Sequence, residues 1–152
     1  MLSLPIENEI MYSKEEANRI KREFWIAFAE KYPRKWLLYD TKIKDFSLKF
    51  HVDNKTAQVM ISIEHRDDEK RYAYFDKLLS LRTILLDDYE PEAIFEKDVY
   101  LENKTLSKVW VEKSGISVNN RATWDEIFDF FNEKMSVFER FFFEFEDFIK
   151  DI

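Results

Sequence analysis

Glycine occurs once in this chain of 152 residues, at Gly115. Average usage of about 7% would supply roughly ten. A chain so poor in glycine cannot build the loops whose backbone cradles a phosphate, which excludes both the P-loop and the dinucleotide fingerprint. Cysteine is absent, and with it go disulfides, thiolate nucleophiles and cysteine-type zinc sites. His51 and His65 are the two histidines, too few for a histidine-rich metal centre or an H-E-x-x-H helix, and no G-x-S-x-G elbow exists. Long apolar runs are missing as well: nothing approaches the roughly 18 residues that a membrane-spanning helix requires. The opening MLSLPIENEI has neither a basic start nor a continuous apolar core, so it does not read as a signal peptide. The expectation is a cytoplasmic protein with no membrane partner.

What remains is rich in two classes of side chain. Hydrophobic residues make up 45% of the chain, aromatics 17% and charged residues 36%. That balance describes a globular domain and not a disordered tail. A chain of this length folding as one domain buries about 70% of its unfolded surface. The net charge of −7 disfavours general binding to nucleic acid, which is driven by neutralising phosphates with Lys and Arg.

The clearest local pattern runs from Ile43 to Arg66. Phe46, Leu48, Phe50 and Val52 alternate with polar residues, Asp53-Asn54-Lys55-Thr56 supply turn chemistry, and Ala57, Val59, Ile61 and Ile63 resume the period of two. This predicts a β-hairpin pairing Phe50 with Val59, Leu48 with Ile61 and Phe46 with Ile63. A slip of one residue would turn an apolar set out to water, so the register is firmly specified.

On either side, Ser13 with Glu16 reads as a capping box opening a helix that Pro33 ends near Tyr32. Residues 11–152 then form one domain, and residues 1–10 an N-terminal extension. Trp36-Leu37-Leu38-Tyr39 reads as a short strand. Asp67 or Asp68 caps a second helix reaching about Leu86. Two strands follow near Ala93–Leu101 and Leu106–Lys113. A three-residue loop between them sets Val99 against Val109, whereas a two-residue loop sets it against Lys108; pairing apolar residues favours the first. Thr123 with Glu126 opens a last helix whose stripe is Trp124, Ile127, Phe131, Met135, Phe138, Phe142, Phe145 and Ile149. An aromatic stripe at this spacing is packing before it is a ligand platform. The predicted fold is α+β, in the order α-β-β-β-α-β-β-α, with a mostly antiparallel sheet and helices packed mainly on one face.

Met11-Tyr12-Ser13-Lys14-Glu15-Glu16-Ala17 with Phe24-Trp25, then Ile43-Lys44-Asp45, Asp53-Asn54-Lys55 and Ile63-Glu64-His65-Arg66-Asp67, resembles the bacterial domain-of-unknown-function family 4268. The likeness runs from Met11 nearly to the end of the chain. The resemblance implies no assigned activity, and it implies a module that occurs behind nuclease-like domains in longer proteins.

The order of elements also invites comparison with nucleases that carry a P-D…(D/E)-x-K signature. In the predicted register Asp45 lies opposite Glu64, and Arg66 follows two residues on. Paired carboxylates there would suit Mg²⁺, which takes oxygen ligands. Against this, Arg66 stays protonated where the signature has lysine, no proline precedes Asp45, and neither histidine is expected beside the pair. Ser47, Lys49, His51, Gln58, Met60 and Ser62 on that face read as solvated sheet surface. His65 falls on the apolar face, where a satisfied, partly buried imidazole is the default. On the last helix, Phe143 falls among Asp125, Asn132, Ser136 and Lys150, away from the stripe, and marks a contact with another subunit or with the N-terminal extension. The sequence therefore favours a non-enzymatic interaction or accessory domain of a bacterial cytoplasmic system, acting through a protein partner or self-association. The alternative is a nuclease-like, nucleic-acid-associated protein, degenerate or active.

Overall fold

Four antiparallel strands form one sheet, and helices cover one of its faces. The computed structural model describes residues 6–152, with side chains from residue 14 onward. Helix α1 spans Ile6–Lys31, strands β1 and β2 span Phe46–Val52 and Thr56–Ile63, α2 and α3 span Asp68–Ser80 and Arg82–Asp88, β3 and β4 span Ile94–Tyr100 and Thr105–Ser114, and α4 spans Trp124–Lys150. The strand order is β1-β2-β4-β3. Both β1 and β3 are therefore edges.

The hairpin holds the predicted register throughout, from Phe46 opposite Ile63 to Val52 opposite Ala57. Its turn is tied by Asp53, whose Oδ1 accepts the Lys55 and Thr56 backbone N–H groups at 2.8 Å. On the covered face Phe46, Leu48, Val59, Ile61 and Ile63 meet the α4 stripe of Ile127, Phe131, Met135, Phe138 and Phe142, with Phe24 and Phe28 of α1 and Phe75 and Leu78 of α2. Each such side chain contributes about 1.5 to 3 kcal/mol by leaving water. Phe145, placed in the same stripe, is half-buried.

Four expectations need correction. The helix expected to open at Ser13 already begins by Ile6, because neither Pro nor Gly interrupts Ile6–Lys31. The Ser13 side chain lies outside the described ones. Trp36–Tyr39 is not a strand: Leu38 has φ +47, a left-handed backbone incompatible with strand pairing. The element order is accordingly α-β-β-α-α-β-β-α, since the helix expected to reach Leu86 also breaks at Leu81 (φ −95, ψ 7). At the start of α4, Thr123 donates its hydroxyl to Ser117 O and Asn120 O instead of capping; Asn120 accepts from Ala122 N–H and caps the short 3₁₀ turn before α4.

The β3–β4 register matches neither loop considered. Val99 lies opposite Leu106 and Phe95 opposite Val109, with an irregularity between Glu96 and Val99. Its cause lies in α2. Arg71 is almost fully buried, and its guanidinium bonds Ser107 Oγ at 3.1 Å, Asp68 at 2.6 Å and Asp98 at 2.7 Å. A buried cation needs such partners, and an inserted residue in β3 aims Asp98 at it.

Candidate functional site

An aromatic concavity lies at the free edge of β1. The last turns of α1 carry Trp25, Phe28 and Ala29, and Tyr32 just past its end bonds back to Phe28 O, so all four, at helical spacing, share one face. Pro33 ends the helix, the chain from Arg34 to Tyr39 turns back along β1, and Ser47 to Phe50 form the third side of a cavity of about 590 Å³. Its walls are aromatic. Trp36 stacks on Phe28 with centroids 5.8 Å apart and meets Phe50 edge-on at 5.4 Å, while Phe28 and Phe50 stand 5.3 Å apart.

This wall is pinned from behind. Glu139 of α4 is 5% exposed; one oxygen accepts from Arg34 at 2.6 Å and the other from the Leu37 backbone N–H at 2.7 Å. The Arg34 guanidinium also lies 3.8 Å from the Trp36 ring centroid, a cation–π contact. One buried carboxylate thus fixes both the cation and the loop backbone. Trp25 nevertheless remains 38% exposed and Tyr39 83% exposed. The lining includes Arg34 and Lys49 but no carboxylate, in a chain of net charge −7.

Beside the cavity the β1 backbone is partly unpaired. The Leu48 N–H donates to Leu38 O at 2.9 Å, so Leu48 directs its backbone groups away from β2. Strand backbones repeat every two residues, and Phe50 must direct its N–H and C=O the same way. At the start of β1, Phe46 N–H donates to Ile43 O and Thr41 Oγ1 donates to Phe46 O. Among the described residues, no such loop bond reaches the Phe50 N–H.

Sequence reading missed this groove because Trp36–Tyr39 passed for a strand. A signal was present: Trp25, Trp36 and Tyr39 are large aromatics outside every core stripe.

The residues singled out beforehand do come together. Asp45, Glu64 and Arg66 line a separate cavity of about 510 Å³ with Lys44, His65, Asp67 and Lys70. Asp45 has φ +60 and stands just beyond β1; its C=O accepts the Glu64 N–H at 2.7 Å. The Glu64 carboxylate is already engaged, one oxygen by Lys104 and the other by Lys49, with Ser62 Oγ donating at 3.0 Å. Burial alone would raise its pKa, but these ammonium groups prevail and hold it at about 2. His65, expected away from the pair, lines the same cavity. It is buried and stacks on Tyr74 at 5.0 Å; contrary to the expectation of a satisfied imidazole, neither ring nitrogen has a hydrogen-bond partner among the described residues, and burial lowers its pKa. Among the described residues no three His, Asp or Glu side chains gather as a metal would require.

The opposite face of the sheet is open. Lys49, Met60, Trp110 and Ile94 follow one another across it, and Lys108 lies 4.2 Å from the Trp110 ring centroid. Ser62, expected to be solvated there, is buried.

Residues 20–146 match a family model described as Domain of unknown function (DUF4268). No curated protein and no solved structure matches the chain. No helix among the described residues is long and apolar enough to cross a membrane.

Proposed function

The chain belongs to the DUF4268 family, and we propose that it is a non-enzymatic interaction domain, an accessory to another protein of a bacterial cytoplasmic system, with the aromatic groove beside β1 as its contact surface. One observation carries this reading: Trp25, Phe28, Trp36 and Phe50 line an open cavity without a carboxylate, held rigid by Glu139. Rigid aromatic side chains in a preformed concavity are the features from which binding hot spots are built.

A second reading, a nuclease-like site, is favoured by the gathering of Asp45, Glu64, Arg66 and His65 at one cavity. It is the weaker of the two. Both Glu64 oxygens are taken by ammonium groups, and a cation binding there would have to displace them. No cofactor is proposed.

Ala29 is exposed on α1 and lines the groove, so Ala29→Glu places a charge in it without disturbing the core. Selection of linear peptides from a displayed random library, against wild type and Ala29→Glu side by side, tests the reading. Peptides that bind wild type at least tenfold more tightly than the variant, at unchanged thermal midpoint, support it. Equal binding to both contradicts it.

A further inference from the structure

Resting on that reading of the groove, we propose that its occupant is an extended peptide segment of another protein. The segment adds to β1 as a fifth strand, sets alternate apolar side chains into the groove, and carries an acidic residue between them.

The free edge argues for a strand. A small apolar ligand would fill the cavity and leave the outward Phe50 N–H and C=O unused. A helix lying in the groove would satisfy its own backbone and leave them equally unused. An extended chain uses both surfaces at once, the edge for main-chain bonds and the pocket for side-chain choice. The 38–43 segment occupies this edge only at Phe46 and Leu48. From the Leu48 C=O to Val52 the edge stays open, which at about 3.4 Å per residue is about 14 Å, enough for a peptide of about four residues.

Alternation then dictates the pattern. Side chains of the added strand on the helix-covered face meet Phe50, Phe28, Trp36 and Trp25, and these positions call for apolar groups. The residue between them lies on the open face beside Lys49. Lys49 and Arg34 are the charged groups of the lining; each already bonds one carboxylate of the fold, Glu64 and Glu139 respectively, but their side chains stay 44% and 41% exposed, so an incoming carboxylate shares them. Like-charge repulsion from the acidic remainder of the protein is reduced here, because no carboxylate lines the groove and the adjoining Glu139 and Glu64 are held by these same cations.

The probe is a set of capped octapeptides with a central apolar-Asp-apolar triplet, the apolar positions being Leu, Ile, Phe, Trp or Tyr in all combinations. Binding is read by fluorescence polarisation against wild type and Ala29→Glu, and the best binder is then methylated at each backbone nitrogen in turn. The expected result is a period of two: methylation weakens binding at least tenfold at alternate residues and little at those between, because only alternate N–H groups face β1. Replacing the central Asp by Lys is expected to weaken binding at least fivefold. Binding that is lost in Ala29→Glu but shows no alternation overturns strand addition and leaves the groove as a contact surface. Binding indifferent to Ala29→Glu overturns both. Failure of every octapeptide to bind, or occupation of the β1 edge by a second copy of this chain, overturns the peptide as occupant.

Discussion

The Leu48 backbone N–H donates to the Leu38 carbonyl at 2.9 Å, and this one bond sets how much of the β1 edge is closed. Had Trp36–Tyr39 formed the strand its composition suggests, the edge would be covered along its length. Leu38 instead turns in the left-handed region, so the chain meets β1 at Leu48, and again at Phe46 through Thr41 and Ile43, and leaves the edge beyond Leu48 uncovered. The groove is the space between.

Leu48 itself is 1% exposed, on the inner face of the hairpin. Leu48→Ala is expected to cost about 2 to 5 kcal/mol, the range for truncating a side chain whose surroundings cannot collapse. Urea denaturation checks this, and an unchanged midpoint would remove Leu48 from the core.

Acid stability should depend on Glu64. Its pKa falls from an ordinary carboxylate value of 4.5 to about 2 in the fold. A carboxyl whose pKa is depressed by folding contributes stability above its unfolded value, and that contribution is lost as pH falls through the folded value. Between pH 4.5 and about 2 the protein is therefore expected to lose stability, and Glu64→Gln should flatten part of that loss. Asp53, also held at about 2 by the Lys55 and Thr56 N–H groups and His51, acts in the same window. Thermal midpoints of wild type and Glu64→Gln across this range provide the check; identical slopes would show that the Lys49 and Lys104 pairs carry no folding energy.

Phe143 is 55% exposed on α4, on the polar side as its spacing predicts. Phe143→Ser is expected to weaken self-association while leaving stability within about 0.5 kcal/mol, the usual range for surface substitutions. Sedimentation equilibrium measures it. If the variant and wild type associate alike, Phe143 is an incidental surface residue.

No metal-dependent cleavage of plasmid or single-stranded DNA is expected with Mg²⁺ or Mn²⁺. Arg66 cannot accept a proton, and the Glu64 carboxylate is held by two lysines. Cleavage by wild type that disappears in both Asp45→Ala and Glu64→Ala would make that pair a catalytic centre.

The hairpin was legible because polar and apolar residues alternate without exception from Phe46 to Val52, and a register with one face buried has no good neighbour. The adjacency of Asp45 and Glu64 followed directly from it. Trp36–Tyr39 was not legible, since a four-residue apolar run has no period to read and leucine gives no sign of a left-handed turn. Nor was the β3–β4 register, which depends on a buried Arg71 reaching across from α2. At Glu64, Lys49 was within reach on the same hairpin, but Lys104 arrives from the β3–β4 turn, which no local pattern reveals. The groove needed the fold: its surplus aromatics are visible in the sequence, while their meeting at an open strand edge depends on where α1 ends.

The four tryptophan indoles give the most direct measurement of where a partner sits. Trp25 and Trp36 line the groove, Trp110 stands on the open sheet face with its indole N–H unpartnered among the described residues, and Trp124 donates to Val118 O at 2.8 Å inside the fold. In a nitrogen-15-labelled protein titrated with the tightest octapeptide, the account predicts that the Trp25 and Trp36 indole resonances move together and saturate, while those of Trp110 and Trp124 stay in place. Movement of Trp110 alone, with Trp25 and Trp36 unperturbed, would transfer the contact to the open face of the sheet and contradict it.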